Sequence, residues 1–99
     1  MYIPIEDLIK NLVDLLNIPS PTGNSKTAVE YVEKLFRDLD IRTRITTKGA
    51  LIATIPGKDD SKSITLSAHV DTLGAMVKEI KGNGRLKITQ LGGYVMNTV

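Results

Sequence analysis

The amino-acid sequence predicts an α/β or α+β fold in which two amphipathic helices are followed by five short strands. Within the first 40 residues, apolar side chains recur every three or four positions, which is the helical period. From residue 41 onward apolar and polar residues tend to alternate, which is the period of a β-strand. The 99 residues are 41% hydrophobic and 24% charged, a balance typical of a small globular domain.

The two helices are predicted from their apolar faces and from the residues at their ends. In the first helix the apolar positions are 5, 8, 9, 12, 13 and 16, with Pro4 in the first turn and Pro19 beyond the last. The turn-rich loop 20–25 separates this helix from the second. The second helix is expected to bury one stripe of side chains, formed by Ala28, Val29, Val32, Leu35, Phe36 and Leu39.

Five strands are expected after residue 40, arranged in a mixed sheet. Their ranges are 41–47, 51–55, 63–70, 75–80 and 85–90. Turns are predicted at Gly49 and at the Gly-Asn-Gly sequence 82–84, which suits a hairpin better than a dinucleotide-binding loop. The run 63–70 is predicted to be an interior strand. The stretch 91–99 is apolar and contains no polar tail or helix cap, which indicates the opening of a longer protein.

The candidate chemistry centres on the only histidine, His69, and on Asp71 two residues later. In a strand, residues i and i+2 project from the same face about 6–7 Å apart, so the imidazole and the carboxylate are expected to be neighbours. Neutral imidazole is a common zinc ligand, and a nearby carboxylate can orient it. An ordinary hydrogen-bonded pair remains the alternative, because a catalytic zinc needs about three protein ligands.

Composition excludes several other classes of function. The absence of cysteine excludes disulfides and thiolate chemistry. The net charge of +2 comes from scattered basic residues, which is not the pattern of a nucleic-acid surface. No apolar stretch is long enough for a membrane span, so a cytoplasmic protein is expected. The serines lack a catalytic context, and no carboxylate pair indicates sugar hydrolysis.

A family resemblance is carried by three stretches, which are residues 19–23, 67–80 and 91–94. Together they resemble the glutamyl aminopeptidase family of cytosolic metallopeptidases, which includes the self-compartmentalising TET aminopeptidases. Residues 67–77, Ser-Ala-His-Val-Asp-Thr-Leu-Gly-Ala-Met-Val, are similar to the metal-binding motif of that family. Residues 19–23, Pro-Ser-Pro-Thr-Gly, resemble its entry loop. Residues 78–80 and 91–94 resemble the stretch that leads into its inserted domain.

This resemblance implies an α/β/α sandwich catalytic domain, with residues 1–74 forming its N-terminal part and 75–99 starting an inserted β-barrel dimerisation domain. It implies that His69 ligates one ion of a two-metal centre, usually zinc or cobalt, and that Asp71 is its catalytic support. The other ligands and the general-base glutamate would lie further along the polypeptide. The implied partners are peptide substrates and further copies of the protein, with dimers assembling into a dodecamer.

We therefore expect the chain to be an N-terminal fragment of a metal-dependent aminopeptidase and to be inactive alone. One alternative is a small independent module that binds peptides along an exposed sheet edge, for which a sealed core is expected. Another is a structural subunit that docks on a larger catalytic partner. Some members of the family carry endoglucanase labels, but nothing in these residues supports that activity.

Overall fold

The computed structural model describes residues 4–59, 61–95 and 97 of the chain. Their elements are, in chain order, α1 (Ile5–Leu16), α2 (Lys26–Asp38), β1 (Arg42–Ile45), β2 (Leu51–Thr54), β3 (Gly74–Ile80) and β4 (Leu86–Leu91). The strands form two separate antiparallel hairpins, β1–β2 and β3–β4. The α/β class is therefore confirmed, whereas a single mixed sheet of five strands does not form among the described residues.

The two helices begin and end close to the predicted residues. Helix α2 packs against β1 and β2, where the Thr43 hydroxyl donates to the Glu33 carboxylate at 3.2 Å. Helix α1 contacts α2, and the Tyr31 hydroxyl donates to Asp14 at 3.4 Å. Ala28 is the fully buried member of the predicted α2 stripe, while Leu39 lies just beyond the helix and is exposed. Neither described helix has the length and apolar character needed to cross a membrane.

Both predicted hairpin turns are confirmed. The β1–β2 turn is closed by the Thr46 amide donating to the Ala50 carbonyl at 2.9 Å, and Gly49 adopts a φ of 84° that other residues rarely accept. The β3–β4 turn is closed by the Lys81 amide donating to the Arg85 carbonyl at 2.9 Å. Among the described helices and strands, β3 and β4 contact only each other.

The predicted interior strand at 63–70 was wrong for this structure. No backbone hydrogen bond joins these residues to any other described part of the chain, so the segment belongs to no sheet. Ile64 and Leu66 are each 92% exposed. The alternating sequence supplies strand character, but a strand also requires a neighbour to accept and donate its backbone hydrogen bonds, and no described segment lies in that position.

The chain is more open than a self-contained domain of its length. Its radius of gyration is 18.1 Å, whereas a compact domain of 100 residues has about 13 Å. Only Ala28 and Ser20 are buried among the described residues. The sealed core expected of an independent binding module is therefore not present in the described part. The predicted apolar end, 91–99, falls partly outside the description, because residues 96, 98 and 99 are not described.

Candidate functional site

His69 and Asp71 lie in direct contact, as the sequence predicts. The Nδ1 atom of His69 is 3.0 Å from the Asp71 carboxylate oxygen Oδ1 and 3.1 Å from the Asp71 backbone carbonyl. The His69 side chain is 82% exposed and that of Asp71 is 44% exposed. The pair therefore stands on the surface of the described chain, with the carboxylate turned toward the ring.

These contacts fix which ring nitrogen of His69 carries the proton. A backbone carbonyl can only accept a hydrogen bond, and an ionised carboxylate also only accepts. Nδ1, which faces both, must therefore carry the hydrogen and donate it. In the neutral ring this leaves the lone pair on Nε2, which has no hydrogen-bond partner among the described residues. An imidazole held in this way is a preorganised ligand for a metal ion.

A third side chain, Thr22, completes the contact around Asp71. Its hydroxyl donates to the other carboxylate oxygen, Oδ2, at 2.9 Å, across 49 residues of sequence. This hydrogen bond holds the pKa of Asp71 below its ordinary value, and the neighbouring His69 ring contributes in the same direction. Two contacts thus connect the side chains in the order Thr22, Asp71 and His69. The Nε2 atom of His69 lies at the end of this series.

The loop that carries Thr22 is fastened to the backbone next to Asp71. The Thr72 amide donates to the Ser20 carbonyl at 2.7 Å, and Pro21 forms an isolated parallel bridge with Thr72. These contacts explain why Ser20 is buried although most of the chain is exposed. We call residues 20–22 and 71–74 together the bridge region. Its backbone pairing brings the Thr22 hydroxyl to the carboxylate of Asp71.

A glycine allows the bridge region to close. A Cβ atom built on Gly74 would lie 2.7 Å from the Cβ of Pro21, closer than side-chain carbons approach, so only glycine fits without movement. The carbonyl of Gly74 also accepts a hydrogen bond of 2.8 Å from the Tyr94 hydroxyl. The residues after β4 are thereby tied to the start of β3.

The site opens into a shallow cleft of about 590 Å³, lined by Thr22, His69, Asp71, Thr72, Leu73, Gly92 and Gly93. Gly92 has a φ of 90°, and a Cβ there would come 2.8 Å from a methyl group of Leu73. Within residues 4–59, 61–95 and 97, no three His, Cys, Asp or Glu side chains cluster closely enough to hold a metal ion. The described residues therefore contain one imidazole with a free ring nitrogen rather than a complete metal site.

The sequence predicted the pairing of His69 with Asp71 but missed Thr22. The pair was predictable because the side chains of residues i and i+2 project from the same face of an extended segment. Thr22 was recognised only as part of a turn-rich loop and of the stretch 19–23 that resembles an entry loop, with no partner assigned to it. No local signal connects it to residue 71, because their contact depends on the parallel pairing of two distant segments.

Comparison with known proteins agrees with the resemblance seen in the motifs. The profile of the M42 glutamyl aminopeptidase family matches residues 49–99. A protein of Bacillus subtilis (strain 168) named "Putative aminopeptidase YhfE" is 53% identical over 93 residues, covering 94% of this chain and 26% of the relative. A "Putative aminopeptidase" of Acetivibrio thermocellus is 31% identical over 88 residues, covering 89% of this chain and 26% of the relative.

The chain thus spans about a quarter of the length of these curated relatives. The family match begins at the β1–β2 turn and includes both His69 and Asp71. The Bacillus relative extends the similarity over nearly the whole chain. The chain therefore belongs to the M42 glutamyl aminopeptidase family.

Proposed function

We propose that this chain is the N-terminal part of a metal-dependent aminopeptidase, which removes N-terminal residues from peptides. The observation that carries the proposal is the exposed His69 ring, whose Nδ1 is held by Asp71 and whose Nε2 is left available. Membership of the M42 family and the names of the relatives support a peptidase. In this proposal His69 is the metal ligand and Asp71 its catalytic support.

The residues present fit one ligand position of a metal centre. The donor is a neutral imidazole nitrogen, which suits zinc and cobalt among other transition metals. With one histidine and no cysteine in the 99 residues, the remaining ligands and the general-base glutamate would come from other parts of the parent protein. When bound, two such cations polarise a scissile carbonyl and activate water.

The role of this chain's own residues is to hold and orient that ligand. Asp71 keeps the proton on Nδ1 and thereby presents the Nε2 lone pair, while Thr22 restrains the carboxylate. The open cleft beside Gly92 and Gly93 leaves room for the backbone of a peptide substrate. The 99-residue chain alone is proposed to be inactive.

The architecture of the parent is proposed along the same lines. Residues 1–74 would belong to an α/β/α sandwich, and residues 75–99 would begin an inserted β-barrel used for dimerisation and assembly into a dodecamer. The separation of β3–β4 from the other described elements supports a division close to Gly74. A cytoplasmic location is part of the same proposal.

The test is peptidase activity of the parent protein, measured with amino-acid p-nitroanilides in zinc or cobalt, together with its metal content. His69→Ala is expected to lower kcat/KM by more than about 100-fold and to reduce bound metal, since even the hydrogen-bond partners of ligands are worth about 10–100-fold. Lys81→Ala, in the β3–β4 turn, is the control and should retain activity.

Two results would contradict the proposal. If His69→Ala keeps both its metal content and its activity, His69 is not a ligand. If the 99-residue chain alone hydrolyses the substrate and loses this activity in His69→Ala, the chain contains a complete site and is not an inactive part.

A further inference from the structure

The chain bends after β4 and forms one wall of the cleft beside His69. Gly92 and Gly93 lie at this bend, and both line the cleft. Beyond the two glycines, the Tyr94 hydroxyl donates to the carbonyl of Gly74, the first residue of β3, at 2.8 Å. We call residues 90–94 the exit bend. Its far end is therefore tied to the start of the strand that follows the candidate site.

The side chain of Gln90 holds the inside of the exit bend. Its Nε2 atom donates to the Gly92 carbonyl at 2.9 Å and to the Tyr94 carbonyl at 2.5 Å. A carboxamide nitrogen carries two hydrogens, so it can make both hydrogen bonds at once. Gln90 therefore fixes the backbone immediately before and immediately after Gly93.

Gly93 itself has an exposed backbone with unpaired polar groups. Its N–H and C=O form no hydrogen bond with any residue that the structure describes. Gly92 needs to be glycine because its φ is 90° and a Cβ there would meet Leu73. Gly93 has no positive φ, and a Cβ there would meet no atom within 4 Å. The contacts of the described chain therefore leave open space in the cleft directly over Gly93.

We propose that the Gly93 N–H and C=O bind the main chain of the peptide substrate beyond the scissile bond, with Gln90 and Tyr94 as positioning residues. The inference rests on the proposed function, which supplies the peptide substrate. An aminopeptidase substrate has a single residue before the scissile bond, so every further peptide group lies after it. Pairing of an extended peptide with exposed backbone groups is a recurring mode of recognition.

The other cleft residues suit an uncharged main chain as the occupant. His69 and Asp71 are the only ionisable residues that line the cleft, and both belong to the candidate site. A group that enters beside Gly93 therefore meets no additional charged side chain in the described lining. The remaining lining residues are neutral, namely Thr22, Thr72, Leu73 and Gly92.

Substrate length tests the proposal in the parent protein. The kcat/KM is measured for a tetrapeptide and for the p-nitroanilide of the same N-terminal residue, which has no peptide group beyond the scissile bond. Gly93→Ala puts a methyl group into the open space, so the ratio of tetrapeptide to p-nitroanilide kcat/KM should fall at least about tenfold, mainly through KM. Gly82→Ala is the matched control, because its Cβ also meets no atom within 4 Å and it does not line the cleft.

The positioning role of Gln90 is tested by a change that keeps the size of the side chain. Gln90→Glu replaces the donating nitrogen with an oxygen that cannot donate when ionised, so the same ratio should fall by about threefold to tenfold. Asn83→Asp is the matched control, because it makes the same amide-to-carboxylate change and keeps the oxygen that accepts from the Arg85 amide at 3.1 Å. Tyr94→Phe, which removes only the hydroxyl, should lower the ratio less than Gln90→Glu does.

The ratio separates substrate binding from a purely structural role. If Gly93→Ala or Gln90→Glu lowers kcat/KM equally for both substrates, the exit bend only supports the fold or is covered by other polypeptide of the parent. That result, or an unchanged ratio in Gly93→Ala, would overturn the proposal. The proposed function would still stand if the parent is active and loses metal in His69→Ala. A parent that hydrolyses neither substrate would overturn both.

Discussion

Two neighbouring regions of this chain differ sharply in how they are held. In the bridge region, Thr72 is hydrogen bonded to Ser20, and Asp71 is contacted by both Thr22 and His69. Residues 63–68, which immediately precede His69, form no backbone hydrogen bond with any described residue. The two segments of the bridge region pair with each other, whereas residues 63–68 have no partner segment among the described residues. The two regions therefore differ in the presence or absence of a partner segment.

The comparison shows that the candidate ligand is oriented locally. The contacts that set the His69 tautomer come from Asp71, and the contact that restrains Asp71 comes from Thr22, all within 99 residues. The described residues do not cover the preceding segment, residues 63–68, in which Ile64 and Leu66 are exposed. Orientation of the ligand and burial of the apolar segment are thus separate requirements.

Among changes that keep the His69 ring itself, the largest expected effect comes from removing the acceptor that fixes the ring. Asp71→Asn in the parent protein should lower metal affinity and kcat/KM by about 10–100-fold, because the amide no longer provides an ionised acceptor for Nδ1–H. Metal titration and steady-state kinetics measure the two quantities. The same substitution at Asp59, which does not line the cleft beside His69, is the control. Equal effects at both positions would contradict the assigned role of Asp71.

The next effect concerns the closure of the bridge region. Gly74→Ala should destabilise the protein by about 1–3 kcal/mol, because the new methyl group overlaps the Cβ of Pro21. Gly82→Ala is the matched control, since its Cβ would meet no atom within 4 Å, and it should change stability by less than about 0.5 kcal/mol. Urea unfolding gives both values. Equal stability of the two variants would show that the Pro21 contact is not close in solution.

A smaller effect is expected at Thr22. Thr22→Val removes the hydroxyl that donates to Asp71 but keeps the branched shape, so metal affinity in the parent should fall by about threefold to tenfold. Thr22→Ser keeps the donor and should retain most of the affinity. If Thr22→Val leaves the metal affinity unchanged, Thr22 does not help to position Asp71.

The smallest effect lies outside both regions, on α1. The Lys10 ammonium, 2.7 Å from Asp14, lowers the pKa of that carboxyl below its ordinary 3.8, and the Tyr31 hydroxyl adds to this. Because the folded pKa is depressed, the associated stability is present above the ordinary pKa and is lost as pH falls through the folded value. Lys10→Met should raise the pKa of Asp14 in an NMR titration. If the pKa of Asp14 is unchanged in Lys10→Met, the ion pair does not form in solution.

Local patterns in the sequence predicted most of the elements. Helical periodicity located α1 and α2, and the glycine turns located both hairpins, because these structures are stabilised mainly by neighbours in sequence. The predicted strand at 63–70 does not form in the structure, because strand formation depends on a partner segment that local alternation cannot supply. The Thr22 contact was missed for the same reason, because it depends on two segments about 50 residues apart. Gly74 was predicted to permit close approach of other groups, and the group that approaches it is Pro21.

The tautomer of His69 tests the central claim most directly. Because the chain has one histidine, long-range ¹H–¹⁵N spectra of the ring need no assignment. For the neutral ring we predict a protonated Nδ1 and an unprotonated Nε2 whose resonance shifts when zinc is added. A ring protonated on Nε2, or an Nε2 resonance that zinc leaves unchanged, would contradict the account of His69 as an oriented metal ligand.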